Sequence, residues 1–273
     1  MSAVNQVEHA AGLAYREVVP AGDPRGVVLA VHGWPQSSYS WRPLLAAVGE
    51  AGWRGVAPDL LGFGDSPTDP PHTWERQVEA LERLHAALGL GPVVLVVHDW
   101  GGLIGLRWAC DHPGRVRALV ISDTGFFSNG RWHGLANSLR TEGEGEQVMD
   151  GLTAEGFAAL LGQASRGIGR DAAAEYFKAF ADPERRRGTL ELYRSGDFEK
   201  LEPYDGRLAG LGVPALLLWG EDDPFAPVAG AHRFARELPD TRVEVVPGTG
   251  HFLYDDEPEA TAAAVVGFLA ELD

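Results

Sequence analysis

Cysteine is nearly absent from this chain of 273 residues, and long apolar runs are absent altogether. With Cys110 alone, no disulfide can form within the chain, and such sparing use of cysteine is typical of a reducing compartment. No stretch approaches membrane-spanning length, and the polar start from Met1 to His9 lacks the apolar core of a signal peptide. We therefore expect a cytoplasmic protein that has no membrane partner.

Positive charge is also scarce. The chain has 23 Lys and Arg residues against 39 Asp and Glu, which gives a net charge of −16, and no basic cluster interrupts this acidity. Nucleic acids and anionic membranes attract proteins through basic patches, so we expect neither as a partner. Apolar residues make up 45% of the chain, which is enough for the core of one large domain.

Residues 93–102 predict a buried strand followed by a sharp turn. The run from Val93 to Val97 is apolar and mostly β-branched, which is typical of a parallel strand buried on both faces. Two glycines follow Asp99 and Trp100, and they permit a tight turn into a helix from Leu103 to Cys110. This strand–turn–helix arrangement is that of a nucleophile elbow, which exposes one side chain at the top of an α/β sheet. The residue at that position is Asp99.

The motif Gly-x-Ser-x-Gly, which places serine at such elbows, does not occur in the chain. A carboxylate there can instead displace a leaving group from a saturated carbon and form an alkyl ester, which water then cleaves at the carboxyl carbon. Asp99 therefore indicates substrates with an electrophilic alkyl carbon, such as epoxides or alkyl halides. The competing interpretation is that Asp99 only caps the following helix, because acids favour helix N-termini.

Strand-like and helix-like runs alternate along most of the chain, which predicts an α/β fold with a mostly parallel sheet flanked by helices. The alternation fails between about residues 125 and 210, which are polar and prone to helix formation. We predict a helical cap over residues 125–210, inserted into a core of residues 1–124 and 211–273, above the strand ends where open α/β sheets bind ligands. The predicted strands are Leu13 to Val18, Val27 to Val31, Gly55 to Pro58, Val93 to His98, Ala118 to Ser122, Ala215 to Trp219 and Arg242 to Val246. Core helices are predicted after an N-cap at Thr73, from Ala226 to Leu238, and from Glu257-Pro258 onward.

Loops after other predicted strands carry groups that can cooperate with Asp99. The backbone N–H groups of Trp34 and Trp100 are the expected oxyanion donors, which would stabilise the tetrahedral oxyanion formed when water attacks the ester. His251 lies on the loop after the last predicted strand and suits a general base, because the ordinary pKa of histidine is near neutrality and easily shifted. Asp223 lies on the preceding strand's loop and would orient His251, as in a catalytic triad.

The acid of this set is left open among three aspartates. Asp223 fits the usual spacing best, and Asp222 is its near alternative. Asp123 follows the strand expected beside the nucleophile strand, so it can also supply the acid or simply serve as a turn residue.

Taken together, these motifs resemble the α/β-hydrolase superfamily, and within it the branch of epoxide hydrolases and haloalkane dehalogenases that use an aspartate nucleophile. The resemblance implies an α/β-hydrolase fold with an inserted helical cap, and an enzyme that needs neither a cofactor nor a metal ion. The motifs run in order through nearly the whole core: His32-Gly33-Trp34-Pro35, Asp59 to Ser66, His98-Asp99-Trp100-Gly101-Gly102, Gly220 to Asp223, and Gly250-His251-Phe252.

Within that branch, several details resemble epoxide hydrolases. Leu192-Tyr193-Arg194 is similar to the segment that carries the epoxide-activating tyrosine of the cap. A second cap tyrosine is common in these enzymes, but no tyrosine lies between Asp99 and Tyr176, and the resemblance instead implies His133 as the partner of Tyr193. Trp132 is the immediate rival of His133, and Trp132 and Tyr176 are the expected substrate-binding residues.

The expected activity is therefore epoxide hydrolysis, acting on a small apolar or amphipathic substrate with an electrophilic alkyl carbon. The second hypothesis is a haloalkane dehalogenase with the same nucleophile and base and with the halide bound near Trp100; Asp123-Thr124-Gly125 resembles that group. A ligand-binding receptor on the hydrolase scaffold is the hypothesis from another class. A homodimer is compatible with the sequence, which does not fix the oligomeric state.

Overall fold

The computed structural model describes residues 3–272, and eight strands form a single sheet at its centre. The strands are β1 (Glu8–Ala10), β2 (Leu13–Val18), β3 (Val27–Val31), β4 (Arg54–Pro58), β5 (Val93–His98), β6 (Val116–Ser122), β7 (Ala215–Gly220) and β8 (Thr241–Val246). Their order across the sheet is β1-β2-β4-β3-β5-β6-β7-β8. Strands β3 to β8 are parallel, and β1 and β2 join antiparallel at one edge. The predicted α/β fold is confirmed.

The helices cover both faces of this sheet. They are α1 (Arg42–Glu50), α2 (Trp74–Ala87), α3 (Trp100–Asp111), α4 (Gly134–Arg140), α5 (Glu144–Asp150), α6 (Ala154–Ala164), α7 (Arg170–Phe177), α8 (Pro183–Ser195), α9 (Ala229–Glu237), α10 (Leu253–Asp256) and α11 (Pro258–Ala270). Helices α1 and α11 pack on one face, and α2, α3 and α9 pack on the other. The predicted N-cap at Thr73 is confirmed, since its hydroxyl accepts the Arg76 N–H at 3.4 Å.

Strand β5 lies in the middle of the sheet and is buried along its whole length. Alternate residues belong to different cores: Val94 and Val96 face α1 and α11, whereas Leu95 and Val97 face α2 and α3. This two-sided burial explains the continuous apolar run, because neither face of the strand meets water.

The register brings the catalytic candidates to one edge of the sheet. Val31 pairs with Val97, His98 pairs with Ser122, and Gly220 pairs with Val246. Because these strands are parallel, the loops that follow them all leave the sheet at the same side. That side is where open α/β sheets bind ligands.

Between β6 and β7 the chain forms the five helices α4 to α8 and no strand. This inserted helical segment, residues 125–210, matches the stretch in which strand signals disappear from the sequence. It packs against the main core through buried side chains such as Tyr176, Phe180 and Leu192. The division into a core and a cap stays a prediction.

Several element bounds differ from the sequence expectation; helix α3, for example, begins at Trp100 rather than at Leu103. Strand β1 was not predicted, because its three residues are polar and depend on pairing with β2 rather than on an apolar pattern. Helix α9 begins at Ala229 rather than at Ala226. The backbone at Ala226 is already engaged, since its N–H binds Asp223 and its carbonyl accepts the Trp219 indole N–H at 2.7 Å.

Candidate active site

Asp99 stands at the tip of a strained turn between β5 and α3. Its φ of 47° and ψ of −123° are rare for a residue with a side chain, and such strain persists where the surrounding structure enforces it. A Cβ on Gly101 would lie 2.1 Å from the Val31 carbonyl oxygen, and a Cβ on Gly33 would lie 2.4 Å from the Asp99 Cβ. The glycines are therefore required by close packing around the turn.

Two hydrogen bonds hold the Asp99 backbone in this conformation. The Asp99 carbonyl accepts the Gly102 N–H at 2.8 Å and the Thr124 hydroxyl at 2.7 Å. The Asp99 side chain makes no N-capping hydrogen bond to the second or third N–H of α3, which is where a capping residue binds. Helix capping therefore does not account for this aspartate, and its carboxylate faces the cavities described below.

The side chains of Asp99, His251 and Asp223 lie next to one another along the sheet edge, with His251 between the two aspartates. His251 Nδ1 donates to Asp223 Oδ2 at 2.7 Å, and His251 Nε2 lies 3.6 Å from Asp99 Oδ2. The second oxygen of Asp223 accepts the Phe225 N–H at 2.7 Å and the Ala226 N–H at 3.0 Å. These contacts fix the imidazole with its Nε2 directed at the nucleophile candidate.

The charges of these three groups stabilise one another. Burial lowers the pKa of His251, but the charges and hydrogen bonds of Asp223 and Asp99 outweigh burial and hold that pKa well above its usual value. Burial raises the pKa of Asp99 and of Asp223, yet the contacts with His251 and with backbone N–H groups outweigh it and lower both values. At neutral pH the arrangement is an imidazolium between two carboxylates.

The other two aspartates occupy different environments. Asp222 is exposed, and its backbone N–H donates to the Thr249 carbonyl at 2.8 Å. Asp123 is fully buried with a positive φ of 42°, and its Oδ1 accepts the Gly220 N–H at 3.1 Å, while its Oδ2 has no partner in residues 3–272. Burial and the nearby charge of Asp223 raise the pKa of Asp123 well above its usual value, so this carboxyl group stays protonated.

The predicted oxyanion donors surround the Asp99 carboxylate. The Trp34 N–H donates to Asp99 Oδ1 at 2.7 Å, and a backbone hydrogen bond from Trp100 contributes to the lowered pKa of Asp99. His32 holds the first of these loops, because its Nε2 accepts the Leu60 N–H at 3.0 Å. The same two N–H groups can bind the oxyanion that forms at this oxygen during ester hydrolysis.

His98 contacts the His251 loop, although in the sequence it stands out only as part of a motif. It is buried beside His251, and its Nε2 donates to the His251 carbonyl oxygen at 2.8 Å. Burial and the neighbouring His251 charge lower the pKa of His98 to about 4, so its ring stays neutral. Its place directly before the elbow residue is the sequence signal, although only the fold shows that it contacts the His251 loop.

Two cavities open on Asp99, His133, Phe225 and His251. One, of about 320 Å³, lies under α5 and α6 and is lined by Trp34, Tyr193 and aliphatic side chains; we call it the apolar arm. The other, of about 250 Å³, lies between the start of the inserted segment and α9 and is lined by Trp132, Asp123 and Arg131; we call it the Arg131 arm. The candidate nucleophile therefore lies where the two arms meet.

Tyr193 of α8 reaches the apolar arm beside Asp99. Its ring packs edge-on against Trp34 and Trp100, with centroids 5.6 Å and 5.2 Å away. Burial and the charge of Asp99 raise the pKa of the Tyr193 hydroxyl well above its usual value, so it keeps its proton. The Trp100 indole lies near enough to lower that pKa in part, but its N–H meets no acceptor at ordinary hydrogen-bond geometry in the described chain.

His133, the expected partner of Tyr193, lines both arms. Its Nδ1 accepts the Ala136 N–H at 3.4 Å, which caps α4 and leaves the ring proton on Nε2. Burial lowers the pKa of His133, so the ring is a neutral donor at physiological pH.

The two expected substrate-binding aromatics lie in different places. Trp132 lines the Arg131 arm and stacks on Trp100, but its indole N–H is bound to the Gly196 carbonyl at 2.8 Å. Tyr176 lines neither arm, because it is fully buried and its hydroxyl donates to Asp255 at 2.8 Å. The structure does not bring Tyr176 to Asp99.

No three His, Cys, Asp or Glu side chains within residues 3–272 are arranged to share a metal ion. In the same residues, no helix has the length and apolarity needed to cross a membrane.

Comparison with known proteins places this geometry in a family. Residues 26–258 match the family described by the alpha/beta hydrolase fold. A haloalkane dehalogenase of Sphingobium indicum is 33% identical, over 92% of this chain and 90% of the relative. A cis-3-alkyl-4-alkyloxetan-2-one decarboxylase of Xanthomonas campestris is 28% identical, over 89% of this chain and 88% of the relative. The crystal structure of haloalkane dehalogenase DbeA from Bradyrhizobium elkani superimposes with a TM-score of 0.81 at 29% identity, covering 98% of this chain and 97% of DbeA.

The TM-score of 0.81 over 98% of this chain shows that the chain and DbeA share their overall fold. The chain belongs to the α/β-hydrolase family, and it is a hydrolase. Its relatives lie in the branch that contains haloalkane dehalogenases, which confirms the branch expected from the sequence motifs.

Proposed function

We propose that the protein opens epoxides to diols through a covalent alkyl ester on Asp99. The observation that carries this proposal is the pair of neutral hydrogen-bond donors near that carboxylate, the Tyr193 hydroxyl in the apolar arm and the His133 ring N–H where the arms meet. An epoxide oxygen becomes an alkoxide as the ring opens, and a nearby O–H or N–H donor lowers the barrier by supplying a proton.

In the first step, an Asp99 oxygen attacks an epoxide carbon, and the C–O bond of the ring breaks. Tyr193 gives its proton to the departing oxygen, while His133 stabilises it by a hydrogen bond. The tyrosine then regains a proton from the His251 imidazolium. This transfer becomes favourable because ester formation removes the Asp99 charge, which is one of the groups that hold the pKa of His251 high.

In the second step, neutral His251 takes a proton from water, and the resulting hydroxide attacks the ester carbonyl carbon. The N–H groups of Trp34 and Trp100 bind the tetrahedral oxyanion, and Asp223 stabilises the imidazolium. Collapse of this intermediate breaks the ester C–O bond, and the departing alkoxide takes the proton of the newly formed carboxyl group. The diol is released, and ionised Asp99 again lies beside protonated His251. The cycle therefore returns to the charge state of the resting site.

The proposed substrate is a small apolar or amphipathic molecule. We propose that the inserted helical segment forms a cap over the site that binds it. Support comes from the position of both arms, which lie between the sheet edge and residues of that segment. Solvent exclusion by such a cap strengthens the electrostatic contacts within the site.

Haloalkane dehalogenation is the second candidate. It is favoured by the names of the Sphingobium and Bradyrhizobium relatives, and by two buried indole N–H groups, at Trp34 and Trp100, that have no partner in the described residues. Buried donors generally find an acceptor, and a halide displaced from the substrate carbon by Asp99 would provide one. The name of the Xanthomonas relative points the other way, because an oxetanone is a strained ring that contains oxygen and in this respect resembles an epoxide more than a haloalkane.

Intact-protein mass spectrometry on the variant His251→Gln separates these candidates. Without its base, the enzyme is expected to accumulate the ester, and peptide mapping should locate it on Asp99. An adduct equal to a whole epoxide supports epoxide hydrolysis, and an alkyl adduct without its halogen supports dehalogenation. Absence of any adduct from broad panels of both, with the variant folded, would overturn both candidates and favour a ligand receptor. The double variant Asp99→Asn, His251→Gln is the matched control.

A further inference from the structure

The two arms differ in chemistry although they share Asp99. The apolar arm is bordered by Leu135, Val148 and Leu160, which are 38%, 36% and 59% exposed. These are three of the five large hydrophobic side chains that are exposed in the described part of the chain. An apolar rim continuous with an apolar cavity fits an alkyl chain that fills the arm and reaches its opening.

Among the residues that the structure describes, Arg131 is the one Arg or Lys side chain that lines either arm. Arg131 is exposed and makes no hydrogen bond or ion pair within residues 3–272, whereas Arg140 nearby is paired with Asp197. Asp123 lines the same arm but stays protonated, so it does not cancel this charge. In a chain of net charge −16, an unpaired arginine beside a cavity is the place where a single anionic group is attracted.

The position of Asp99 relates the two arms to one substrate. Asp99, His133, Phe225 and His251 line both cavities, so a molecule whose reactive carbon contacts Asp99 can send one substituent into each arm. A substrate with its electrophile at the end of a chain would fill one arm only and leave the other with no contacts.

We propose that the natural substrate is an amphiphile with its electrophilic carbon inside the chain: an alkyl substituent occupies the apolar arm, and a shorter substituent that ends in a carboxylate or similar anion lies against Arg131. This inference rests on the proposed function, since it takes the reactive carbon to be the one that Asp99 attacks. Arg131 is then a specificity-determining residue, which acts on binding and not on the reaction.

The test compares three epoxides of equal chain length: a fatty acid epoxidised at an internal position, the matching internal epoxide of the alkane, and the terminal epoxide. For the unmodified enzyme we expect kcat/KM to be highest for the first and lowest for the terminal epoxide. Arg131→Gln should raise KM for the epoxidised fatty acid about five- to tenfold and leave its kcat unchanged. The KM and kcat values for both uncharged epoxides should also stay unchanged. Equal KM changes for charged and uncharged substrates would overturn the role of Arg131.

Each arm has an exposed alanine in its lining, and a bulky substitution at that position would block the arm. Ala229 lines the Arg131 arm and Ala164 lines the apolar arm, and neither belongs to the catalytic groups. Ala229→Phe should lower kcat/KM for internal epoxides by about tenfold or more and leave the terminal epoxide unchanged, whereas Ala164→Phe should impair all three. If Ala229→Phe impairs the terminal epoxide equally, the arm conducts water or product, and the two-arm inference is wrong.

Failure of this inference is distinguishable from failure of the proposed function. If terminal epoxides form the Asp99 adduct on His251→Gln and internal ones do not, the chemistry stands and the substrate class is wrong. If no epoxide of any kind forms the adduct, the proposed function itself fails, and with it this inference.

Discussion

The residues at the sheet edge and those of the inserted helical segment are positioned in different ways. Asp99, Asp223 and His251 follow parallel strands, and short hydrogen bonds hold each of them in place. The Thr124 hydroxyl donates to the Asp99 carbonyl, the His98 ring donates to the His251 carbonyl, and the Ala226 N–H donates to the Asp223 carboxylate. Tyr193 and His133 depend instead on how helices α4 and α8 pack over that edge. Topology therefore determines where the proposed nucleophile, acid and base lie, whereas side-chain packing determines which donors reach them.

The largest expected effect is at the sheet edge. Asp99→Asn should abolish turnover, with a loss of about 10⁴-fold or more in kcat, because the amide cannot form the ester. The measurement is steady-state hydrolysis of any substrate that labels His251→Gln, with circular dichroism to verify folding. Asp123→Asn is the matched control, because it replaces an aspartate by asparagine directly after β6, the strand next to β5. Substantial turnover by Asp99→Asn would show that another group is the nucleophile.

The second prediction compares the two buried aspartates near His251. Asp223→Asn should lower kcat by about 10³- to 10⁴-fold, because it removes the acceptor that orients the imidazole. Asp123→Asn should cost less than about tenfold, since the carboxyl group is protonated already and the amide preserves its shape.

The pH profile provides an independent readout of this pair. Asp223 raises the pKa of His251, so Asp223→Asn should shift the acid limb of kcat to lower pH as the base loses its proton more readily. Asp123→Asn should leave that limb in place. The opposite pattern, with the limb moved only in Asp123→Asn, would identify Asp123 as the acid.

The same contrast explains which parts of the fold and of the site can be predicted from the sequence. Val93 to His98, with the glycines after Asp99, predicts strand, turn and helix because burial and close packing demand those residue types locally. Strand order, with Asp223 and His251 meeting over Asp99, follows from the family topology. Tyr176 shows the limit: it has the same residue type as Tyr193, yet its hydroxyl is held by Asp255 through long-range packing that no local pattern encodes.

The third prediction uses these two tyrosines. Tyr193→Phe should lower kcat for epoxides by about 10²-fold or more, because it removes the proton donor to the ring oxygen, while the rate for haloalkanes should change little. Tyr176→Phe should leave kcat nearly unchanged and cost roughly 1 kcal/mol of stability through its lost hydrogen bond. Equal losses of kcat in both variants would mean that Tyr193 acts only through packing.

The smallest effect concerns stability and tests how the inserted segment is attached. Asp255 accepts Gln36 Nε2 at 2.6 Å and the Tyr176 hydroxyl at 2.8 Å, and burial raises its pKa from 3.8 to about 6. The folded protein therefore holds this proton more tightly than the unfolded chain, and the contribution of Asp255 to stability falls as pH rises between about 4 and 6. Asp255→Asn should flatten that part of the stability curve, measured by urea unfolding at a series of pH values. Asp256→Asn, next in the chain, is the control, and an unchanged slope in Asp255→Asn would show that the proton is held elsewhere.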